Sequence, residues 1–250
     1  MKLTAAIITY NEEGNIERCI RSLLPVADEV FVVDSFSTDR TKEICLELGA
    51  RFIEHPFQGH IQQKNYALEN AAFDWVLSLD ADEALTEELQ QSILKIKSNP
   101  QYNGYRFNRL TNYCGHWVKY CGWYPDTKVR LVRKIKARWM GTNPHDRLDM
   151  ISGEATGFLE GDLLHYSYNS RDEHYKQIEY FGDIAAKELF EQGKTTSYFM
   201  IITKVTAQFI KSFFIKKGFL DGRTGFTISR LSAYATYRKY IKLLKLQRNA

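Results

Sequence analysis

The sequence of 250 residues is short of cysteine and proline, with four and five respectively. Cys19, Cys45, Cys114 and Cys121 are too few and too widely spaced to staple a small secreted fold, so free thiols are expected. Cys114 and Cys121 flank His116, but their spacing is wrong for a zinc pair and no second pair follows. There is no GxxxxGK[ST] loop and no GxGxxG after the first apolar run, which argues against a P-loop NTPase and a dinucleotide enzyme. The opening MKLTAAIITYNEEGN has only a brief apolar run and reaches charge by position 12. Neither a signal peptide nor a spanning helix fits there, and a cytoplasmic catalytic part is expected. A nucleic-acid partner is not expected, because no recognised binding motif accompanies the positive charge.

Apolar and charged residues make up 44% and 26% of the chain, enough for a folded core. The net charge of +4 hides an asymmetry. From Lys204 onward there are eleven Lys or Arg and one acid, Asp221, a net of +10 that leaves −6 on the first 203 residues.

Short β-rich runs at 2–9, 29–35, 49–55 and 74–80 alternate with segments of helical spacing. Ile16, Ile20, Leu23 and Leu24 mark the first such segment. Ile44, Leu46 and Leu48 mark the second, and Tyr66, Ala67, Leu68 and Ala71 the third. Ser37, Thr38 and Asp39 supply cap chemistry before the second helix, and Gly49 sits where it should end. Strand and helix in alternation predict an α/β fold with a parallel sheet covered on both faces, whose ligands bind beyond the carboxyl ends of the strands. Three of those ends are polar or acidic: TYNEE, VDSFSTD and LDADE. A turn or helix cap explains any one of them. Three on one edge, each with a carboxylate, predict a site.

Asp80 and Asp82 stand one residue apart where extended geometry ends, so both side chains are expected to face one ligand. Carboxylates so close repel unless a cation lies beside them, and hard oxygen donors suit Mg²⁺ or Mn²⁺ with a nucleoside diphosphate completing the coordination.

AAIITYNEEGNIERCIRSL, EVFVVDSFSTDRTKEI, QKNYAL and WVLSLDADE together resemble the nucleotide-sugar-binding half of family 2 glycosyltransferases of the GT-A fold. Within the family the similarity is greatest to lipopolysaccharide core β-1,4-glucosyltransferases. The resemblance is strong over residues 1–100 and looser through GWYPDTKVRLVRK, NPHDRL and LLHYSY. It implies a Rossmann-like mixed sheet flanked by helices, and a hexose, glucose from UDP-glucose, passed to a cell-envelope glycolipid. The same fold acting on a polyprenyl phosphate, a capsule repeat or a protein is the alternative, and a nucleotide-sugar-binding protein without turnover is the alternative from another class. The resemblance places Tyr10, Asn11 and Glu12 around the nucleotide, Asp34 on its uracil or ribose edge and Lys64 nearby. It gives Asp80 to ribose or a metal-bound water and Asp82 to the metal. Glu83 is expected to cap or brace the next helix, whose first turn is acidic.

The family's base follows the DxD at some distance, and a later histidine often completes the metal site. NPHDRL and DLLHYSY fit these roles, so Asp146 is the expected base and His165 the expected ligand. His145 stands where the family usually has an acid, which keeps Asp126 as a rival base. Between residues 102 and 140 the chain is rich in aromatics and in Arg and Lys, which suit sugar faces and acceptor phosphates. Trp123 and Tyr124 are assigned to the acceptor side, on a loop with Asp126. The expected organisation is a nucleotide-sugar half at 1–100, an acceptor half at 101–170 and a basic helical extension at 171–250. Residues 172–192 read as an amphipathic helix. The apolar stretch after it is interrupted by Lys204, Gln208, Lys211, Lys216 and Lys217, which favours docking on an anionic membrane surface over crossing it.

Overall fold

The computed structural model describes residues 1–142 and 145–249, with His145 given by its backbone alone. In chain order the elements are β1 (Leu3–Thr9), α1 (Ile16–Leu23), β2 (Glu29–Asp34), α2 (Thr41–Glu47), β3 (Arg51–Glu54), α3 (His60–Glu69), β4 (Trp75–Asp80) and β5 (Glu83–Leu85). Then follow α4 (Glu87–Ser98), β6 (Gly104–Tyr113), β7 (His116–Trp117), β8 (Asp126–Arg133), β9 (Ala137–Thr142), β10 (His145–Met150) and β11 (Gly157–Tyr168). The chain closes with α5 (Arg171–Glu191), α6 (Tyr198–Ile210) and α7 (Gly222–Arg248).

The main sheet runs β3-β2-β1-β4-β8-β6-β11-β5, with β7 on β6, and β9 and β10 form a separate antiparallel pair. Its first four strands are parallel, as the alternation predicts, and β8 joins β4 antiparallel. The sheet is therefore mixed, with helices on both faces, as the GT-A resemblance implies. Period-two alternation splits the core. Leu3, Ala5 and Ile7 of β1 pack with Ile16, Ile20 and Leu23 of α1 and Leu89 and Ile93 of α4. Ala6, Phe31 and Val33 face the other way, onto Ala67 and Leu68 of α3 and Trp139 of β9. Each fully buried Leu or Ile contributes about 1.5–3 kcal/mol. The cap chemistry before α2 comes from Asp39, whose Oδ1 accepts the Thr41 N–H at 3.0 Å, and Gly49 ends that helix in the left-handed region at φ 74°.

Two compact units emerge. One comprises residues 1–109 and 126–166, the other 110–125 and 167–250. The breaks expected at 100 and 170 differ from these because residues 110–125, from the end of β6 through β7, group with the helices, where Tyr113, Val118 and Cys121 share a core with Ile178 and Ile228. In the helical unit Cys121, Ile178, Ile228 and Leu231 form a core edged by Trp123 and Tyr168, and α5 begins at a Ser170 cap that accepts the Glu173 N–H. All four cysteines are free thiols.

His174 of α5 is buried among Tyr113, Trp123 and Tyr168, and its Nδ1 lies 3.2 Å from the Tyr113 hydroxyl. Burial depresses its pKa to about 4 from 6.5. A depressed pKa means the neutral ring is stabilised by folding. Its contribution is complete above pH 6.5 and is lost as the pH falls towards 4. Unfolding midpoints measured across that window should fall by the equivalent of up to about 3 kcal/mol. His174→Gln should flatten that part of the profile, and an unaltered slope in the variant would remove His174 as its cause.

Candidate active site

The site lies within the first unit, where strand ends and the α3 helix meet. The loops after β1 and β2 are knitted through backbone donors and side-chain acceptors. Asn11 N–H donates to Ser37 Oγ and Glu12 N–H to Thr41 Oγ1, both at 2.8 Å, and Thr38 N–H donates to Asn11 Oδ1 at 2.8 Å. Asn11 and Phe36 both sit at positive φ, 53° and 64°. Asn tolerates that region, whereas Phe rarely enters it unless the surrounding loop dictates it. Phe36 is 52% and Tyr10 58% exposed, so the ends of two neighbouring strands, paired Thr9 to Asp34, each present an aromatic ring. Sequence reasoning singled out Tyr10 and missed Phe36, whose only signal was its place among the turn-forming residues of DSFSTD.

Asp34 is buried and accepts the Ser37 N–H at 2.7 Å as well as the Ser37 hydroxyl. The turn-forming reading thus accounts for this carboxylate as placed.

The QKN motif, Gln63 to Asn65, lies in the middle of α3 and is wholly buried, its three side chains directed to different elements. Gln63 donates to Ser35 Oγ and to the His55 carbonyl, at 3.1 and 3.2 Å. Asn65 brackets the Trp139 backbone, donating to its carbonyl and accepting its N–H, each at 3.0 Å. Lys64 stands between two acids. Its Nζ lies 3.0 Å from Asp80 Oδ1 and 2.8 Å from Asp146 Oδ2, and 4.4 Å from the centre of the Trp139 ring. A helix pattern judged by apolar spacing overlooks such a run, since each buried polar group acquires its reason only from another element.

Asp80 and Asp82 have different side-chain partners. Asp80 turns towards Lys64 and towards Arg130 of β8, whose Nη2 is 3.4 Å away. Burial acts to raise the Asp80 pKa, but Lys64 and Arg130 outweigh it and hold the carboxyl well below the usual range. Asp82 turns to His165, with Oδ2 3.2 Å from Nε2. The chain bends between them because Glu83 begins β5 and pairs with β11 in the register His165 to Glu83. Gly161, at φ 97°, sets that register. A Cβ there would stand 2.3 Å from the Leu89 nitrogen, and Asp162 exchanges hydrogen bonds with Thr86 at the start of α4.

Glu83 does not cap α4. Thr86 does so, accepting the Leu89 N–H at 3.3 Å. The fully buried Glu83 instead accepts the Asp80 N–H at 3.0 Å and an Arg130 N–H at 3.0 Å, with Arg109 at 3.6 Å. Arg130 is buried, and its Nε and Nη1 have no hydrogen-bond partner among the described residues. Despite the opposing effect of burial, Glu83, Asp80 and Asp146 raise its pKa further. Arg130 was not singled out from the sequence. Its signal was a cation on the inward-facing phase of a strand.

The rival base Asp126 opens strand β8 instead of lying on a loop. Arg109 donates to it twice, at 2.8 and 3.0 Å, and Lys128 reaches it at 2.9 Å. Against the effect of burial, these cations lower its pKa. Asp146 on β10 has Lys64 on Oδ2, and among the described residues Oδ1 accepts nothing. Asn143, Pro144 and the His145 side chain, the rest of the NPHDRL signal, lie outside the described residues. Trp123 belongs to the aromatic cluster of the helical unit, 5.9 Å from Tyr113 and 6.0 Å from Tyr168, so packing accounts for much of its ring; Tyr124 precedes a cis Tyr124-Pro125 peptide bond.

The donor set at the DxD fits a hard divalent cation. Among the described residues no three acidic, Cys or His side chains form a ready-made cage. Among the described residues, however, the Asp82 and His165 side chains are paired with each other, and the buried His165 Nδ1 has no hydrogen-bond partner. Burial first, and then repulsion from Asp82, Asp39 and Asp80, raises the Glu12 pKa against the Asn15 hydrogen bond, so acids crowd this strand edge. Two donors suffice where diphosphate oxygens and water complete the shell.

The family model of glycosyl transferase family 2 matches residues 4–120. An uncharacterized glycosyltransferase of Rickettsia typhi is 35% identical, over 98% of this chain and 87% of its own length. The lipopolysaccharide core biosynthesis glycosyltransferase LpsC of Rhizobium meliloti is 27% identical, over 96% of this chain and 93% of its own. Among solved structures, glucosyl-3-phosphoglycerate synthase of Mycobacterium tuberculosis, in complex with Mn²⁺, UDP and glucosyl-3-phosphoglycerate, aligns over 44% of each chain with 22% identity and a TM-score of 0.38. The α/β frame with acids gathered at its strand ends is that of a sugar-transferring enzyme. The chain belongs to glycosyl transferase family 2 and is a glycosyltransferase.

Proposed function

We propose that this chain is a metal-dependent inverting glycosyltransferase that takes a hexose, glucose from UDP-glucose, and passes it to a hydroxyl of a cell-envelope glycolipid such as lipopolysaccharide core. The observation that carries the reading is the division of the strand-end acids: Lys64 ties Asp80 to Asp146, while Asp82 and His165 are left to each other. End-to-end similarity to LpsC supports the acceptor class.

Tyr10 and Phe36 offer exposed faces on which a nucleobase can stack, beside the Asn11 and Glu12 loop. Asp82 and His165 would hold Mg²⁺ or Mn²⁺, which when bound offsets the charge developing on the departing diphosphate. Asp80 is kept ionised by Lys64 and Arg130 and stands ready for ribose hydroxyls or a water. Asp146 Oδ1 takes the proton of the acceptor hydroxyl as its oxygen bonds to the anomeric carbon and the bond to the diphosphate oxygen breaks on the opposite face. Lys64, bonded to Oδ2, fixes the orientation of that carboxylate. Asp126, held by Arg109 and Lys128, positions β8 and β6 instead.

Release of UDP from UDP-glucose in the presence of Mn²⁺ tests the reading. Asp82→Ala should lower it by about 100-fold or more, since charge stabilisation of this kind contributes several kcal/mol. Full release in the variant would exclude Asp82 as the metal's anchor, and no release by the parent chain with any nucleotide sugar would favour a binding protein.

A further inference from the structure

The helical unit carries an exposed apolar surface outside the strand-end acids. The helical run Tyr198–Ile215 is long and apolar enough to cross a membrane by length and composition, yet little of it is buried. One side docks. Ile201 and Ser212 are buried, and Ser212 Oγ accepts from Ser229 of α7 at 3.0 Å. The other side leaves Phe199, Ile202, Phe214 and Ile215 exposed, and the short turn Gly218–Asp221 adds Phe219 and Leu220. Phe199 is 76% and Ile215 68% exposed, values that water alone does not reward for side chains of this size.

The charge around this surface has one sign. Lys211, Lys216, Lys217 and Arg223 are exposed along it. The single acid, Asp221, is buried and turned inward, where it accepts the Tyr120 N–H at 2.8 Å and meets His116 Nε2 at 3.3 Å. The outward face is thus apolar and cationic with no anion in it. Pairing it with a second copy of this chain would bring like charges together, whereas an anionic phospholipid surface complements both its charge and its apolar side chains.

The segment is also tied at both ends to its own unit. Thr196 N–H donates to Gln247 Oε1 and Cys121 N–H to the Lys216 carbonyl, both at 3.0 Å. Between those ties it packs along α7, which carries seven Lys or Arg in its 27 residues. Crossing the bilayer would require tearing the segment from α7 or burying that charge. Lying flat requires neither.

We propose that the outward face of residues 198–223 seats this chain on an anionic bilayer, with its phenylalanines and isoleucines in the headgroup and acyl boundary and its four cations against lipid phosphates. The proposal stands apart from the catalytic reading, because vesicle binding needs neither donor nor acceptor.

The full chain should sediment with phosphatidylcholine vesicles containing phosphatidylglycerol and stay in solution with phosphatidylcholine alone, and added salt should release it. The triple variants Ile202→Asp/Phe214→Asp/Ile215→Asp and Lys211→Glu/Lys216→Glu/Lys217→Glu should each weaken binding by about tenfold or more. Both should keep the parent's circular dichroism and its nucleotide release in solution. Phe214→Trp should show blue-shifted emission on anionic vesicles and quenching by brominated acyl chains. Four results would overturn the proposal: no vesicle binding by the parent, unchanged binding by both triple variants, retention through alkaline carbonate extraction, or a parent dimer that the apolar triple variant dissolves.

Discussion

Asp146→Asn should reduce glycosyl transfer by about 10²–10⁴-fold, the usual contribution of a positioned base. The substitution keeps the shape of the side chain and an oxygen for Lys64, and removes only the charge that accepts the acceptor's proton. Lys64 retains Asp80 as its ionic partner at 3.0 Å, so the triad does not collapse into an unpaired buried cation. Calorimetric binding of UDP-glucose should therefore be nearly unaltered, which separates loss of chemistry from loss of the donor. Asp126→Asn is the matching control. Its carboxylate is already engaged by Arg109 and Lys128 on a strand, so turnover should change far less than in Asp146→Asn. Normal transfer by Asp146→Asn, or the reverse ranking of the two variants, would move the base elsewhere.

The second large effect concerns stability. Glu83→Ala should destabilise the first unit by about 3–5 kcal/mol, because it leaves buried Arg130 with Asp80 at 3.4 Å as its remaining hydrogen-bonded carboxylate among the described residues. Arg130 has two further nitrogens without hydrogen bonds among the described residues, so no other acceptor stands ready to take the lost place. The double variant Glu83→Met/Arg130→Met should recover much of that loss, since a buried ion pair can be exchanged for apolar packing at little net cost. Urea unfolding midpoints decide the matter. A shift below about 1 kcal/mol in Glu83→Ala would mean that water reaches Arg130 and that the pair is not sealed. Recovery of fold without recovery of activity in the double variant is also expected, because Asp80 would lose the Arg130 cation and the Glu83 carboxylate that accepts its backbone N–H.

What could be read from the sequence followed from local periodicity. The alternation in LTAAIIT and EVFVVD, the Ile16 to Leu23 stripe and Gly49 each express a short-range preference, and each appears where expected. The mixed part of the sheet was less legible. β8, β6 and β11 join by non-local pairing, and no window of sequence records which strand a given run will meet. The same holds for residues 110–125, which sequence order assigned to the acceptor half and which pack instead with the helices.

In the site, Asp80, Asp82, Lys64, Asp146 and His165 were all nameable in advance, as acids, a lysine and a histidine at strand ends and in recognisable motifs. Their partnerships were not. Nothing local says that Asp80 belongs to Lys64 and Arg130 while its neighbour Asp82 belongs to His165, or that Glu83 braces a β8 arginine while Thr86 caps the helix. By itself, then, the sequence determined the elements, the edge of the sheet where chemistry gathers and the positive sign of the C-terminal surface. Only the tertiary structure decided which charges neutralise one another and which are left open to a ligand, because a charge's partner is set by long-range approach through a low-dielectric interior, where one ångström outweighs any pattern in the chain.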